Sequence, residues 1–210
     1  MEPVLKTRER KRETDRRAGI IEIAHAAFLA DGYAATSMSA IAARLGGSKG
    51  TLYNYFPSKE DLFVAVIETR CEEIMAFIYE VELEGGDFAQ ALNRLGRRFL
   101  GFALGEEAIA TYRLVTAESG RFPEVGRALY ERGFQRGIAR LAAYFERAVE
   151  QGHLRAGDLR RAAEQFFDLC KSGLHHRRLW NVSPMAGEEE IAAHVGGAVE
   201  TFLAAYAAAD

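Results

Sequence analysis

The segment between Ser48 and Tyr55 combines side chains that can contact nucleic acid. A lysine supplies a cation for phosphate, while hydroxyl and amide groups supply donors and acceptors for base edges. Gly50 costs about 1 kcal/mol relative to alanine inside a helix, and its missing side chain lets a neighbouring backbone approach closely. The outward face predicted for this segment consists of Lys49, Gly50, Thr51, Tyr53 and Asn54. Its composition indicates a surface that binds DNA.

Two short helices joined by a glycine turn are predicted to position this face. Thr36 is expected to cap the first helix of this pair, whose apolar stripe runs from Met38 to Leu45. Gly46 and Gly47 follow as a tight turn. Ser48 caps the second helix, from Lys49 to about Tyr55, and Pro57 ends it because proline lacks an amide hydrogen. This order is the one that a helix-turn-helix requires.

Apolar residues recur at helical spacing through the rest of the chain, and no alternating strand pattern occurs. We therefore predict an all-α protein of about nine helices. The first helix of the chain is expected from about Asp15 to Ala30, and the pair just described supplies the second and third. A fourth helix begins at Ser58 and ends at Gly85-Gly86. Later helices are expected to begin at about Asp87, Glu106, Glu124, Asp158 and Glu188, the last three ending near Gln151, Trp180 and Ala208.

Composition and charge narrow the classes of protein. The 210 residues are 49% apolar and 27% charged, which excludes a fully disordered or fibrous chain. Two cysteines cannot build a disulfide framework, and no apolar run has the length of a membrane span, so we expect a cytoplasmic location and no membrane partner. Residues 1–59 carry a net charge of +4 and the remainder −7. This asymmetry indicates a polyanionic partner at one end.

Three regions follow from these patterns. Residues 1–13 are predicted to form a basic flexible arm, residues 14–60 a helix-turn-helix DNA-binding domain, and residues 61–210 a helical ligand-binding and dimerisation domain. The arm has two possible roles: it reaches a minor groove or nearby phosphates, or it is a solvated tail without specific contacts.

Residues 15–63 resemble the DNA-binding domain of the TetR family of bacterial transcriptional regulators. The resemblance rests on the Phe28…Gly32-Tyr33 corner, on Thr36 to Ala42, and on the run from Ser48 to Phe63. It implies that the third helix enters the major groove. The positions that it implies for DNA contact are Thr36, Ser48, Lys49, Gly50, Thr51, Tyr53, Asn54, Tyr55 and Lys59. Gly47 departs from the family pattern, which usually has Val or Ile there, and we expect weaker packing at the turn.

The segment from Tyr112 to Tyr130 resembles the C-terminal domain of the AefR-like subgroup of the same family. The resemblance implies a small-molecule site among the middle helices and dimerisation through the last two. Aromatic stripes are more often core than pocket wall, and the residues that we assign to the pocket are Phe99, Phe102, Tyr112, Phe134 and Phe167. The residues assigned to the dimer interface are Phe166, Cys170, Gly173, Leu174, Val195, Val199 and Phe202, with intramolecular packing as the alternative.

Other classes of function have weaker support in the sequence. Glu164, Asp168 and His175 lie at i, i+4 and i+11 and form a weak metal-site pattern. No nucleophile elbow, Walker loop or dinucleotide fingerprint occurs, so we expect no enzyme, catalytic residue, metal or cofactor. An architectural DNA-binding protein would carry more positive charge. The sequence favours a homodimeric, ligand-responsive repressor that binds a palindromic operator.

Overall fold

The computed structural model describes residues 2–79 and 87–208, and it confirms the all-α fold class. Within these residues the chain forms eleven α-helices and one π-helical segment, and its only extended pairing is an isolated bridge between Leu154 and Ala207. None of the helices described is both long and apolar enough to cross a membrane. The helices are α1 Glu2–Asp31, α2 Met38–Arg44, α3 Lys49–Tyr55, α4 Lys59–Tyr79, α5 Phe88–Ala103, α6 Glu106–Glu118, α7 Pro123–Ala128, the π-helical segment Leu129–Phe134, α8 Gln135–Glu150, α9 Leu159–Lys171, α10 Leu174–Leu179 and α11 Glu188–Tyr206.

Side-chain caps begin several helices where the sequence predicts them, as three examples show. The Ser48 hydroxyl accepts a hydrogen bond from the amide three residues later at 3.2 Å and begins α3, whose bounds match the prediction. The Ser58 hydroxyl accepts from the Asp61 amide at 3.0 Å and donates to its carboxylate at 2.7 Å. Asp87 caps α5 at 2.8 Å. Each cap satisfies an amide that the first helical turn leaves without a partner.

Helix α2 is capped by Ser37, so the prediction that Thr36 caps it is wrong. The Ser37 hydroxyl accepts from the Ala40 amide at 3.1 Å. Thr36 is buried, and its hydroxyl donates to the backbone oxygen of Gly32 at 2.7 Å, with that of Ala27 at 3.3 Å. The Thr36 side chain therefore closes the corner between α1 and α2.

Helix α1 begins at Glu2, so the predicted start near Asp15 is wrong. The segment predicted as a flexible arm, residues 1–13, is helical from Glu2 onward. Lysine, arginine and glutamate have high helix propensity, and a proline in the first turn does not break a helix. The apolar stripe on which the prediction depended begins only at Ile20. The predicted end of the fourth helix at Gly85-Gly86 lies outside the described residues.

One of the two long helices predicted in the second half of the chain is divided in the structure. The other, predicted from Glu124 to Gln151, runs without a break from Pro123 to Glu150 and contains the π-helical segment Leu129–Phe134. A π turn inserts an extra residue without breaking the helix. The helix predicted from Asp158 to Trp180 ends at Lys171, because Gly173 has a φ of +71°, a conformation that interrupts a helix and favours glycine.

The chain divides into two compact units. The head unit comprises Met1–Arg70 and Leu114–Arg132, and the body unit comprises Cys71–Arg113 and Gly133–Asp210. The head unit thus includes a segment far along the chain from the predicted DNA-binding domain. Its aromatic centre consists of Phe28, Tyr33 and Phe63, with ring centroids 5.1–5.7 Å apart. In the body unit α5, α8, α9 and α11 pack around an apolar core that contains Phe145, Phe166 and Phe202.

Candidate nucleic-acid interface

Helix α3 exposes most of the face predicted to bind DNA. Lys49, Gly50 and Asn54 are exposed, and Tyr53 has 47% of its surface exposed. Thr51 and Tyr55 are half-buried. Leu52 is the buried residue of the helix and attaches it to the interior of the head unit. A large aromatic side chain left this exposed beside a cation and an amide is suited to contact with another molecule.

The start of α3 is organised by its cap. Ser48 is exposed, and its hydroxyl both accepts from the Thr51 amide and lies 3.0 Å from the Thr51 hydroxyl. These bonds hold the Thr51 hydroxyl next to that of Ser48, and Lys49 between them in the chain is exposed. A hydroxyl pair with remaining hydrogen-bonding capacity and a neighbouring cation can contact phosphate oxygens or base edges.

Lys59 does not extend outward as its predicted phosphate contact requires. It is half-buried, and its Nζ donates to the backbone oxygen of Tyr33 at 2.8 Å. The ammonium also lies 4.3 Å from the ring centroid of Tyr33 and 5.7 Å from that of Phe122. Burial lowers the pKa of Lys59, and the carboxylates of Glu118 and Glu124 oppose that shift. Lys59 serves an internal junction of the head unit, which departs from the prediction.

Two carboxylates from the segment Leu114–Arg132 complete this junction. Glu118 Oε1 accepts from the Ala34 amide at 3.0 Å, and Glu124 Oε1 accepts from the Tyr33 hydroxyl at 3.2 Å. Burial raises the pKa of Tyr33, and the negative charge of Glu124 raises it further. We call this set the Tyr33 corner; its members are Tyr33, Ala34, Lys59, Glu118, Phe122 and Glu124. The contacts of Glu118 and Glu124 are not predicted by the sequence, because no local pattern links residues 84 to 91 positions apart.

The structure brings together four of the five residues predicted to line the ligand pocket, in two separate pairs. The rings of Phe99 and Phe167 lie 4.5 Å apart, and those of Tyr112 and Phe134 lie 5.8 Å apart. Phe102 is half-buried near the end of α5. All five belong to the body unit.

His175 joins the second aromatic pair, a position that no pattern in the sequence predicts. Its ring lies 4.7 Å from that of Tyr112 in an edge-to-face arrangement, and the residue is 5% exposed. Burial lowers the pKa of His175 to about 4, and the nearby charges of Lys171 and His176 contribute. Its Nε2 is buried and has no hydrogen-bond partner among the described residues. A neutral imidazole with an unsatisfied nitrogen therefore lies beside Tyr112.

The predicted dimer interface is corrected by the structure. Six of its seven residues are at most 5% exposed within a single chain, so they form intramolecular core: Phe166, Cys170, Leu174, Val195, Val199 and Phe202. A Cβ at Gly96 of α5 would lie 2.6 Å from Val195, which shows how tightly α11 packs against its own chain. Burial also raises the pKa of the Cys170 thiol to about 12. Gly173, the seventh, is exposed at the break between α9 and α10.

The predicted alternative of a metal site has no geometric support. Among the described residues, no three or more His, Cys, Asp or Glu side chains are placed to hold a metal ion. Glu164 and Asp168 lie on α9, whereas His175 follows the break at Gly173. The continuous helix that would have aligned these three residues does not form.

Models of two known domain families match the chain. Residues 20–66 match the family described as bacterial regulatory proteins, tetR family. Residues 90–208 match the C-terminal domain of AefR-like transcriptional repressors. The second match alone covers more than half of the 210 residues.

Proteins similar to this chain are described as regulators, most of them of transcription. The crystal structure of a TetR-family transcriptional regulator from Mesorhizobium loti is 33% identical with a TM-score of 0.83, and the match covers 93% of this chain and 98% of the other. The flavonoid-responsive regulator FrrA is 36% identical with a TM-score of 0.81, over 92% and 98% of the two chains. The transcriptional repressor KstR of Mycolicibacterium smegmatis is 38% identical over 81 residues, which span 39% of this chain and 40% of KstR. The matched part is therefore less than half the length of this curated relative.

Proposed function

The chain belongs to the TetR family of bacterial transcriptional regulators, and on that premise we propose that it is a ligand-responsive repressor that binds a palindromic operator as a homodimer. The observation that carries this proposal is the exposed face of α3, which follows a glycine turn and a serine cap. We infer that it acts in the cytoplasm, where the DNA is, and that it needs no cofactor.

The proposed contacts with DNA divide by chemistry. Lys49 contacts phosphate, and Thr51, Tyr53 and Asn54 reach base edges or adjacent phosphates from the same face. Ser37, exposed at the start of α2, takes the phosphate-contacting role that the sequence assigned to the buried Thr36. Two copies of α3 read half-sites about 34–36 Å apart in successive major grooves.

The proposed dimer uses the outer face of α11. Ala193, Gly197, Glu200 and Ala204 are exposed along one side of the helix, opposite its buried stripe. A Cβ built at Gly197 would meet no atom within 4 Å, so this side is uncovered in the single chain. Small side chains let a second helix approach closely, and an isologous pair would bring α11 against its own copy.

A charged substitution tests this interface. Gly197→Arg is expected to convert the dimer to a monomer in sedimentation velocity. In an isologous contact the arginine of one subunit lies opposite that of the other near the two-fold axis, so the two long cations would clash and repel each other. Gly157→Arg is the matched control, since Gly157 also has open space around its Cβ but lies in the loop before α9. Equal masses for the two variants would exclude the α11 face.

The effector that we propose is an aromatic molecule that carries a hydroxyl group. The similarity to a flavonoid-responsive regulator supports this class. The contact of Tyr112 with Phe134 supplies aromatic surface, and His175 supplies a neutral polar group next to it. A hydroxyl satisfies Nε2 in either tautomer of the ring, because it can both donate and accept.

Helix α6 provides a route from the effector to the head unit. It carries Tyr112, which we propose contacts the effector, and six residues later Glu118, which holds the Tyr33 corner. A ligand that shifts α6 would alter the hydrogen bond between Glu118 and the Ala34 amide. It can weaken DNA binding only by the difference of its affinities for the two states.

Selection against DNA tests the function directly. The purified chain would be incubated with random-sequence duplexes at about 150 mM salt, and the retained duplexes sequenced. A short palindrome is the expected result. Retention without a common motif, lost steeply as salt rises, would instead indicate only electrostatic binding to phosphates and would contradict a sequence-specific regulator.

The effector class has a separate test. Naringenin, a hydroxylated flavonoid, and the unsubstituted flavanone would be titrated into the complex with the selected palindrome. Release by naringenin at lower concentration than by flavanone is expected. His175→Phe should remove that preference, and His176→Gln, at the exposed neighbour, should keep it. No release by either compound would exclude the class, whereas an unchanged preference in His175→Phe would exclude only His175.

A further inference from the structure

The turn between α2 and α3 is a helix C-cap that lacks its usual apolar contact. Gly46 has a φ of +63°, and its amide donates to the Ala43 oxygen at 3.1 Å, while the Gly47 amide donates to the Ala42 oxygen at 3.3 Å. These two bonds define a Schellman motif, in which the residue at the position of Gly47 often packs an apolar side chain against the last helical turn. Gly47 has no side chain to supply that contact.

A cavity of about 320 Å³ lies beside this turn within the head unit. Its walls are mainly apolar, with an arginine and two hydroxyl side chains among them. Cβ atoms built at Gly19 and Gly47 would meet nothing within 4 Å, and both glycines are exposed, so the cavity is open to solvent beside them. The lining residues are Arg16, Gly19, Ile20, Ile23, Leu45, Gly47, Ser48, Thr51 and Leu52. We call this space the Gly47 cavity.

The Gly47 cavity lies beside the residues that begin α3. The buried residue of the helix, Leu52, is the fourth of its seven residues. Lys49 and Gly50 are exposed, and Thr51 borders the cavity. None of the three residues before Leu52 is buried, so the start of α3 is held by its serine cap and by the chain on either side.

We propose that Gly47 is a positioning residue for DNA recognition: the cavity beside it lets the first turn of α3 adjust, and contact with DNA fixes that turn. This inference rests on the proposed role of α3 in reading DNA. An unsupported turn must be ordered on binding, and that ordering lowers affinity. The same freedom lets the side chains follow small differences between sites, so mismatched operators are penalised less.

The backbone of Gly47 permits a direct test. Gly47 does not have a positive φ, and a Cβ built there would meet no atom within 4 Å, so this position at the wall of the cavity has room for a valine side chain. Gly46, the adjacent residue, has a φ of +63° and is strained by any side chain. Gly47→Val and Gly46→Ala therefore form a matched pair with opposite expected effects on the thermal midpoint: a rise for the first and a fall for the second.

Hydrogen exchange of the DNA-free, full-length protein measures the freedom of α3. Gly47→Val is expected to slow exchange of the Thr51 and Leu52 amides by about fivefold or more relative to the native chain, because opening of the turn would now uncover a packed methyl group. Gly120→Ala is the control, since Gly120 lies in the head unit away from the cavity and its Cβ would meet nothing. Unchanged exchange in Gly47→Val would overturn the inference.

DNA binding supplies the functional half of the test. On the palindrome selected with the native chain, Gly47→Val is expected to bind about three- to tenfold tighter and to lose more affinity than the native chain for each single-base mismatch. Slower exchange with unchanged or weaker discrimination would overturn the positioning role. If no variant binds any motif, the proposed function fails, while the exchange result still decides whether the first turn is loose.

Discussion

Helices α3 and α11 meet the rest of the molecule in opposite ways. Helix α3 buries Leu52 and exposes its polar face, whereas α11 buries Ile191, Val195, Ala198, Val199 and Phe202 in the body unit. Substitutions on the exposed face of α3 should therefore change what the protein binds without changing its stability. Substitutions on the inner face of α11 should do the reverse. The difference separates the recognition surface from the residues that hold the fold.

The largest expected effect is on the inner face of α11. Phe202 is fully buried, and its ring lies 5.2 Å from that of Phe145 and 5.3 Å from that of Phe166. Phe202→Ala is expected to lower the free energy of unfolding by about 3–5 kcal/mol, because it removes apolar contacts and leaves a cavity. Denaturant titration followed by circular dichroism measures this change.

The control for Phe202 is Glu146→Ala at an exposed position of α8, outside the proposed dimer face. It is expected to change the free energy of unfolding by less than about 0.5 kcal/mol. If Phe202→Ala instead left stability intact and dissociated the dimer, the inner face of α11 would be an interface after all.

The free energy of unfolding is expected to depend on pH through His175. Folded His175 has a pKa of about 4, below the ordinary value near 6.5, chiefly because it is buried. Well above pH 6.5 the ring is neutral in both states and its contribution to stability is complete. As pH falls toward 4, the unfolded chain binds a proton that the folded chain excludes, so the free energy of unfolding falls by about 2–3 kcal/mol.

Comparison of variants isolates that contribution. Denaturant titrations at several pH values between 7 and 4 are expected to show a shallower loss of stability in His175→Phe than in the native chain. His176→Gln, at the exposed neighbour, should retain the native slope. Parallel profiles for the native chain and His175→Phe would show that the imidazole is protonated as readily in the folded state as in the unfolded one.

The third prediction reverses the pattern on α3. Tyr53 is largely exposed and makes no part of the buried core. Tyr53→Ala is expected to weaken binding to the selected palindrome by about 1–3 kcal/mol while leaving the thermal midpoint unchanged. Fluorescence anisotropy with a labelled duplex measures the first quantity. A lower thermal midpoint with native affinity would place Tyr53 in the fold and remove it from the DNA contacts.

The difference between the two helices also explains what the sequence could predict. The bounds of α3 follow from local chemistry, since Ser48 caps it and Pro57 follows its end. The apolar stripe of α11 shows that one side is covered, but a stripe does not reveal whether the cover is the same chain or a second copy. The φ of Gly173 and the corner contacts of Glu118 depend on tertiary packing, and no local pattern encodes them.

The last and smallest prediction tests whether the head unit depends on the segment Leu114–Arg132. Glu118→Ala removes the acceptor of the Ala34 amide, an exposed bond that water can replace, so the free energy of unfolding should fall by about 0.5–1.5 kcal/mol. Thr116→Ala, at an exposed position on the same helix, is the control. If the Tyr33 corner also transmits the effector response, the concentration of naringenin that releases the palindrome should change in Glu118→Ala and stay native in the control. A change in stability with an unaltered response would leave Glu118 a structural contact, and the route from α6 to α3 would have to run through other residues of the corner.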